Sequence, residues 1–430
     1  MKFKTLGCRL NTFETETIKS ITEELDYKNL TFVNTCSVTK EAAKNSKKYV
    51  RQLKKSAPNN KVIVSGCDAH IEKEMYLKMP EVDVVVGNDV KLDEAIWREI
   101  SKSGRTGFFG KPDEKSNNKK TKILPNFTKR SRAYLEIQNG CDHSCTFCII
   151  PQGRGLSKSV ELDTILEKIN NLVDRGFKEI VLTGVDITCW GSDLSGNDKL
   201  GDLVIKILDK TPNLPRLRLS SIDVSEMDDG LLHVFKTNKR MMPHLHLSLQ
   251  SGNNLILKRM KRRHSREQAI DLCKNLKAAR PELTFGADLI AGFPTESDTM
   301  FSDTVKLVDE CDVSWLHIFP YSGRPNTPAS RMPQVNQHEI SKRSKVLREL
   351  AQRKKAQHFA KLKGKTLSVL MESEFRGRAE DFAEITTSAP LKTGEIYPLE
   401  AYDYSADSLD STDLTEKHRY FNSKYSSIPW

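Results

Sequence analysis

Over the first hundred residues, short runs of β-forming apolar residues alternate with stretches whose apolar positions recur at helical spacing. Phe3–Leu6, Leu30–Asn34, Val62–Ser65 and Val82–Val86 predict strands, and Thr12–Glu24, Thr39–Lys55, Ala69–Met79 and Lys91–Lys102 predict helices. Thr39, followed by Glu41 and a pair of alanines, marks a capped helix start. This alternation implies an α/β domain over 1–102, doubly wound, with a parallel sheet covered on both faces. A second series starts at Ala133, with strands predicted at Ala133–Gln138, Glu179–Thr183, Leu217–Ser220, His244–Leu249, Phe285–Ile290 and Trp315–Phe319. Ala269, Leu272, Cys273 and Leu276 mark the apolar face of one intervening helix. Six βα units with right-handed crossovers predict a partial (β/α)6 barrel over 131–335.

The segment 103–130, between the two series, is rich in Lys, Asn, Gly and Pro and reads as a basic linker. A long helix is expected over 336–364. Short β runs at Thr366–Met371, Phe382–Thr386 and Glu395–Leu399 predict a small β-barrel over 365–404, followed by a polar tail over 405–430.

Composition adds boundaries more than identity. A chain of 430 residues with 37% hydrophobic and 29% charged residues is folded and multi-domain. No apolar run approaches the roughly 18 residues of a membrane span. The opening Met1-Lys2-Phe3-Lys4-Thr5-Leu6 lacks the apolar core of a signal peptide, so a cytoplasmic protein without membrane contact is expected. The net charge of +11 favours a polyanionic partner only weakly. Its distribution says more. Asn336 to Lys365 holds ten Lys or Arg against Glu339 and Glu349, whereas Thr366 onward holds six against twelve acids. The helix and the linker are therefore the candidate phosphate-contacting surface, and a solvated helix face is the ordinary alternative.

The nine cysteines change the picture most. In a reducing compartment they are core thiols or ligands rather than disulfides. Cys141, Cys145 and Cys148 lie at C-x-x-x-C-x-x-C spacing in one loop after the first strand of the second series, where barrel enzymes build their sites. Three thiolates there suit three irons of a [4Fe–4S] cluster, leaving the fourth iron open to chelate S-adenosylmethionine. A zinc site would want a second cysteine pair, and none lies nearby. Cys8, Cys36 and Cys67 share no short motif, yet each directly follows a predicted strand of the first domain. At the carboxyl edge of a parallel sheet they would converge on one crevice, with Gly7 and Gly66 allowing close backbone approach. A second three-thiolate cluster or three buried thiols are the two readings. Cys273 and Cys311 read as core, and Cys189 as a bystander.

Thr5-Leu6-Gly7-Cys8-Arg9-Leu10-Asn11, Asn34-Thr35-Cys36-Ser37-Val38-Thr39, Ser65-Gly66-Cys67 and Ile137-Gln138-Asn139-Gly140-Cys141 through Arg154-Gly155 together resemble the radical-SAM methylthiotransferases over about residues 1–365. Ile150–Gly155 and Thr183-Gly184-Val185-Asp186-Ile187 resemble the branch acting on threonylcarbamoyladenosine in tRNA. Other branches act on isopentenyladenosine in tRNA or on a ribosomal-protein aspartate. The resemblance implies a C-terminal TRAM-like domain and two [4Fe–4S] clusters. The cluster on Cys141, Cys145 and Cys148 would cleave S-adenosylmethionine to a radical that takes hydrogen from adenine C2. The cluster on Cys8, Cys36 and Cys67 would carry the sulfur that a second S-adenosylmethionine methylates. Partners implied are the tRNA anticodon loop, an electron donor and a sulfur donor. A rival from another class is a non-enzymatic iron–sulfur RNA-binding protein.

At the predicted barrel rim, Thr183, Gly184 and Asp186 end the second strand and Gln250 the fourth. These, with Asp288 in the fifth strand, are candidates to hold S-adenosylmethionine. Asp288 stands out because a carboxylate inside an apolar strand is costly without a partner. Arg154 is a candidate for the methionine carboxylate, with a structural ion pair as the equal alternative. The acidic C-terminal segment departs from what a charge-gripping RNA-binding module would carry.

Overall fold

The computed structural model describes residues 1–104, 106–110, 125, 130–405 and 407–413. The Lys-rich part of the linker and the end of the tail lie outside the described residues.

The N-terminal unit runs β1 (Lys2–Thr5), α1 (Arg9–Glu24), β2 (Leu30–Thr35), α2 (Lys40–Ser56), β3 (Lys61–Gly66), α3 (Cys67–Ile71), α4 (Lys73–Leu77), β4 (Val84–Val86), α5 (Glu94–Ser103) and β5 (Gly107–Phe109). All five strands are parallel, in the order β1-β2-β3-β4-β5. Alternate strand residues feed two cores, one under α1 and α5 (Ile18, Phe32, Ile63, Trp97) and one under α2 and α4 (Val33, Val50, Val64, Tyr76). Helix α2 starts where its chemistry dictates. The Thr39 hydroxyl accepts a hydrogen bond from the Ala42 amide at 3.0 Å, Glu41 sits in the first turn, and Lys54 and Lys55 close the last. Strand β5 lies inside the segment expected to be linker. It completes the sheet by pairing Val84–Val86 with Gly107–Phe109.

The second unit runs β6 (Ala133–Glu136), β7 (Gln138–Asn139), α6 (Ile150–Arg154), β8 (Lys158–Ser159), α7 (Leu162–Asp174), β9 (Glu179–Thr183), α8 (Leu200–Lys210), β10 (Arg216–Leu219), α9 (Asp229–Thr237), β11 (His244–Gln250), α10 (Asn254–Arg259), α11 (Arg266–Ala279), β12 (Thr284–Ala291), α12 (Asp298–Glu310) and β13 (Val313–Pro320). Its parallel strands form two halves, β6-β9-β10 and β11-β12-β13. The Met242 amide to the Leu217 carbonyl (2.9 Å) and the Ile222 amide to the His246 carbonyl (2.9 Å) join them into a six-stranded partial barrel. Outward side chains such as Leu135, Leu182, Leu217, Leu247 and Ala287 form the main core beneath the helices. The polar members of each alternation therefore line the inner face.

Helix α13 (Gln337–Leu362) straps the barrel to the last unit, β14 (Thr366–Ser373), β15 (Arg376–Ala379), β16 (Glu384–Thr387), β17 (Ile396–Tyr404) and β18 (Leu409–Asp413). These strands close into a barrel in the order β14-β15-β16-β18-β17. The closing strand β18 falls in the segment expected to be tail, so the β unit extends past residue 404 to Asp413. Part of the basic charge of α13 and its C-cap is paired within the chain: Arg343 with Glu296 and Asp298, Lys354 with Asp309, Lys355 with Asp407 and the capping Lys363 with Asp403.

The β unit seals the amino-terminal end of the partial barrel. Phe382, at a left-handed φ of 74° in the turn between β15 and β16, stacks on His244 with centroids 5.1 Å apart. The Trp315 indole donates to the Asp381 carbonyl at 3.1 Å, and Arg218 donates to the Glu380 carbonyl at 3.0 Å.

Candidate active site

The loop after β7 carries Cys141, Cys145 and Cys148 at the carboxyl end of the barrel. Its backbone is pinned on every side. Gln138 donates to the Gly140 carbonyl (2.8 Å), Asp142 accepts from the Ser157 amide (2.9 Å), and Thr146 donates to the Arg259 carbonyl (2.8 Å). Gly140 sits at φ +76°, and a Cβ there would lie 1.9 Å from the Leu156 carbonyl oxygen, so the turn requires glycine. All three cysteines are free and half-buried. Burial, with the neighbouring Asp186, pushes the Cys141 thiol up to about 12. Arg262 points an Nη at Cys145 Sγ, 3.7 Å away. Three unpaired thiols on a rigid loop beside a guanidinium fit a thiolate-ligated cluster, whose anionic charge that cation offsets.

Cys8, Cys36 and Cys67 directly follow or lie just beyond the carboxyl ends of β1, β2 and β3. The sheet brings them together. A Cβ on Gly7 would lie 2.9 Å from Cys36 Sγ, and one on Gly66 would lie 2.3 Å from the Thr35 carbonyl oxygen. Burial and the adjacent Cys67 and Cys8 push the Cys36 thiol up to about 12. Among the described residues none of the three is in a disulfide, and Cys8 is exposed. The donor set fits a second thiolate-bound group.

The two cysteine sets meet where α6 packs on α3. Gly153 makes this possible, since a Cβ there would touch Ile71 and Cys67 at 3.2 and 3.4 Å. The next residue, Arg154, makes the structural ion pair. It is buried, donates to both carboxylate oxygens of Glu14 and to Asn11, and points Nε at Cys67 Sγ at 3.2 Å. Lys91 binds the same Glu14. Sequence spacing carries no sign of this ion pair, which joins residues 140 apart.

Beside that network, burial and the nearby Glu14 push the Glu136 carboxyl up to about 7. The folded protein thus holds this proton to a higher pH than the unfolded chain does. Its stabilisation is complete below the ordinary glutamate range and is lost as the pH rises through about 7. Glu136→Gln is expected to match wild type near pH 4.5 and to exceed it by up to about 3 kcal/mol at pH 8. Thermal unfolding at both pH values checks this; equal differences at the two would refute it.

On the inner face, His246 Nε2 and His317 Nδ1 reach Asp288 Oδ1 at 3.0 and 3.2 Å. Burial would raise the Asp288 carboxyl, but these two hydrogen bonds outweigh it and hold the group well below the usual carboxylate range. His246 was legible in principle. The alternation His244-Leu245-His246-Leu247-Ser248-Leu249-Gln250 puts every polar residue of β11 on one face. Gln250 ends that strand at φ +63°, at a break in register. Thr183 is buried at the end of β9. A Cβ on Gly184 would meet the Gln138 carbonyl oxygen at 2.5 Å, so its bareness admits Gln138 rather than a ligand. Asp186 Oδ2 accepts from His143 at 2.7 Å and lies 3.4 Å from Cys189 Sγ, with Glu226 completing the group. Cys189 is therefore part of a polar cluster at the loop rather than isolated. His143, inside the cysteine motif itself, was the available signal.

A Radical SAM superfamily model matches residues 135–308, and a model described as uncharacterized protein family UPF0004 matches residues 1–87. The threonylcarbamoyladenosine tRNA methylthiotransferase MtaB of Rickettsia prowazekii (strain Madrid E) is 42% identical over 396 residues, covering 92% of this chain and 93% of that protein. MtaB of Aquifex aeolicus (strain VF5) is 35% identical, covering 92% and 98%. A tRNA-2-methylthio-N(6)-dimethylallyladenosine synthase of Ruegeria pomeroyi is 32% identical, covering 94% and 97%. Among solved structures, the radical S-adenosylmethionine methyltransferase TsrM from Kitasatospora setae aligns with a TM-score of 0.54 at 12% identity, over 76% of this chain and 74% of that one. That likeness is one of fold.

Proposed function

The chain belongs to the radical-SAM tRNA methylthiotransferases, and from that premise we propose that it converts N6-threonylcarbamoyladenosine, beside the tRNA anticodon, to its 2-methylthio derivative. The observation that carries this is the meeting of two separate three-cysteine sets, on two domains, at the α3–α6 junction. The 42% identical relative, matched along almost its whole length, points to the threonylcarbamoyl branch.

In this reading Cys141, Cys145 and Cys148 hold the [4Fe–4S] cluster that binds S-adenosylmethionine. Cys8, Cys36 and Cys67 hold a second cluster. When bound, the first supplies an electron to S-adenosylmethionine and so a radical able to take hydrogen from carbon, while the second presents sulfur. The chain's own residues do the rest. Gly140, Asp142 and Thr146 fix the loop, Arg262 offsets cluster charge, Gly7 and Gly66 bring the N-terminal thiols close, and Arg154 ties the two sets together. Asp186 and Gln250, at the strand ends around the loop, are assigned to S-adenosylmethionine. Asp288 sets the orientation of His246 and His317.

We assign residues 1–110 to the methylthiotransferase domain, 131–335 to the radical domain and 365–413 to a TRAM-like domain. No helix among the described residues is long and apolar enough to cross a membrane. A tRNA substrate places the enzyme in the cytoplasm, served by an electron donor and a sulfur donor. Mass spectrometry of tRNA nucleosides from cells lacking the protein tests the reading. Loss of the methylthio-threonylcarbamoyl nucleoside alone is expected; loss of the isopentenyl product instead, or no change in tRNA, overturns it.

A further inference from the structure

The inner face of the partial barrel collects positive charge at its sealed end. Around the Phe382 ring stand the guanidiniums of Arg378 (4.7 Å), Arg218 (4.9 Å), Arg132 (5.5 Å) and Arg9 (5.5 Å from the centroid). Three of the four have carboxylates. Arg132 pairs with Glu179 and Glu372, Arg218 with Glu179, and Arg378 with Glu372 and Glu384. Glu179 is already shared, because Arg216 also approaches it at 3.6 Å. Arg9 has no ion pair or hydrogen bond to any described residue, and the buried Arg218 Nη1 and Arg132 Nη2 are also without hydrogen-bond partners among them. A guanidinium drawn into such a place, beside three others, is costly unless an anion joins it.

Position narrows the anion. Arg9 directly follows Cys8, so its backbone stands at the N-terminal cysteine set while its side chain reaches into the barrel. A group bound there belongs to the substrate whose carbon meets that set. Threonylcarbamoyladenosine carries one anionic group on its base, the free threonine carboxylate on the N6 substituent; an isopentenyl group carries none.

We propose that Arg9 is the specificity residue that binds the threonine carboxylate of the substrate. The inference rests on the threonylcarbamoyl reading above and names the contact that enforces it. A planar guanidinium takes a carboxylate through two parallel hydrogen bonds. In this partly buried site that interaction separates an acid from a neutral group of similar size by far more than shape does.

The test uses the full-length reconstituted enzyme and two anticodon stem-loop RNAs, one bearing threonylcarbamoyladenosine and one bearing its methyl ester. The readout is the ratio of kcat/KM for methylthiolation of acid over ester, which does not depend on how fully a preparation is loaded. Wild type is expected to prefer the acid by roughly a hundredfold. Arg9→Gln should bring the ratio close to one, and Arg9→Lys, which keeps the charge but not the fork, should fall between. Equal use of acid and ester by wild type overturns the proposal even if the variants fail to fold. An unchanged preference in Arg9→Gln does so too. Absence of methylthio product on the acid RNA with wild type instead overturns the proposed function on which this rests.

Discussion

Replacing Cys36 with alanine is expected to abolish methylthio transfer while S-adenosylmethionine cleavage continues; replacing Cys141 is expected to abolish both. The two cysteine sets sit on different domains, and each has its own scaffold. Cys36 follows β2 in the N-terminal sheet and is buried against Gly7, whereas Cys141 is held by the loop that Gln138, Asp142 and Thr146 pin to the barrel. Losing one thiol ligand should empty its own site and leave the other, so each variant should keep about half of the wild-type iron. Iron analysis, 5′-deoxyadenosine formation and product mass spectrometry on the same preparations separate the cases. If Cys36→Ala lost 5′-deoxyadenosine formation as fully as Cys141→Ala, the division of labour between the sets would be wrong.

Arg154→Met is expected to cost about 3–5 kcal/mol and to loosen the N-terminal domain from the barrel. Arg154 belongs to α6, while its partners Glu14, Asn11 and Cys67 belong to the other domain. Burial would raise the Glu14 carboxyl, but Arg154 and Lys91 together hold it below its ordinary value, so both cations stabilise its charge. Removing Arg154 leaves that buried charge with one cation, Lys91, and the Asn34 amide, and takes the guanidinium from the Asn11 carboxamide oxygen. Methionine fills most of the volume, so the loss reports the ionic network more than a cavity. Glu14→Gln in the same chain should recover part of the stability, because the orphaned charge is then gone. Thermal unfolding and limited proteolysis between the domains read the effect. A single variant as stable as wild type would show that docking depends on apolar contact alone.

What the sequence revealed and what it hid follow from the range of the interactions involved. Thr39 caps α2 through a hydrogen bond three residues away, so a local pattern was enough to place the start of that helix. Cys8, Cys36 and Cys67 are distant in sequence, yet strand–helix alternation placed them at a common edge because a parallel sheet aligns its carboxyl ends. Strands β5 and β18 left no such trace. Gly107–Phe109 is too short to display a period, and Leu409 is followed by a polar run, so each strand is specified by the sheet edge it completes. Arg154 read equally as a partner for the methionine carboxylate or as half of a structural ion pair, and nothing local in the sequence chose between them. Its actual partners come from another domain, and long-range charge pairing has no spacing rule. The polar face of β11 was visible as an alternation, but that His246 meets His317 over Asp288 depends on the register between strands.

The seat of Phe382 has a consequence for anyone building chimeras from this family. The C-terminal module presents its plug residue, the Asp381 and Glu380 carbonyls and Glu372 to a socket made by His244, Trp315, Arg218 and Arg132. A graft that exchanges the module without its socket would leave those arginines facing solvent or a mismatched surface, and a chain cut after α13 would open the lumen from below. The C-terminal module therefore travels as half of a lock. Its inheritance is tied to the barrel that receives it, and exchange between relatives should succeed only where plug and socket move together.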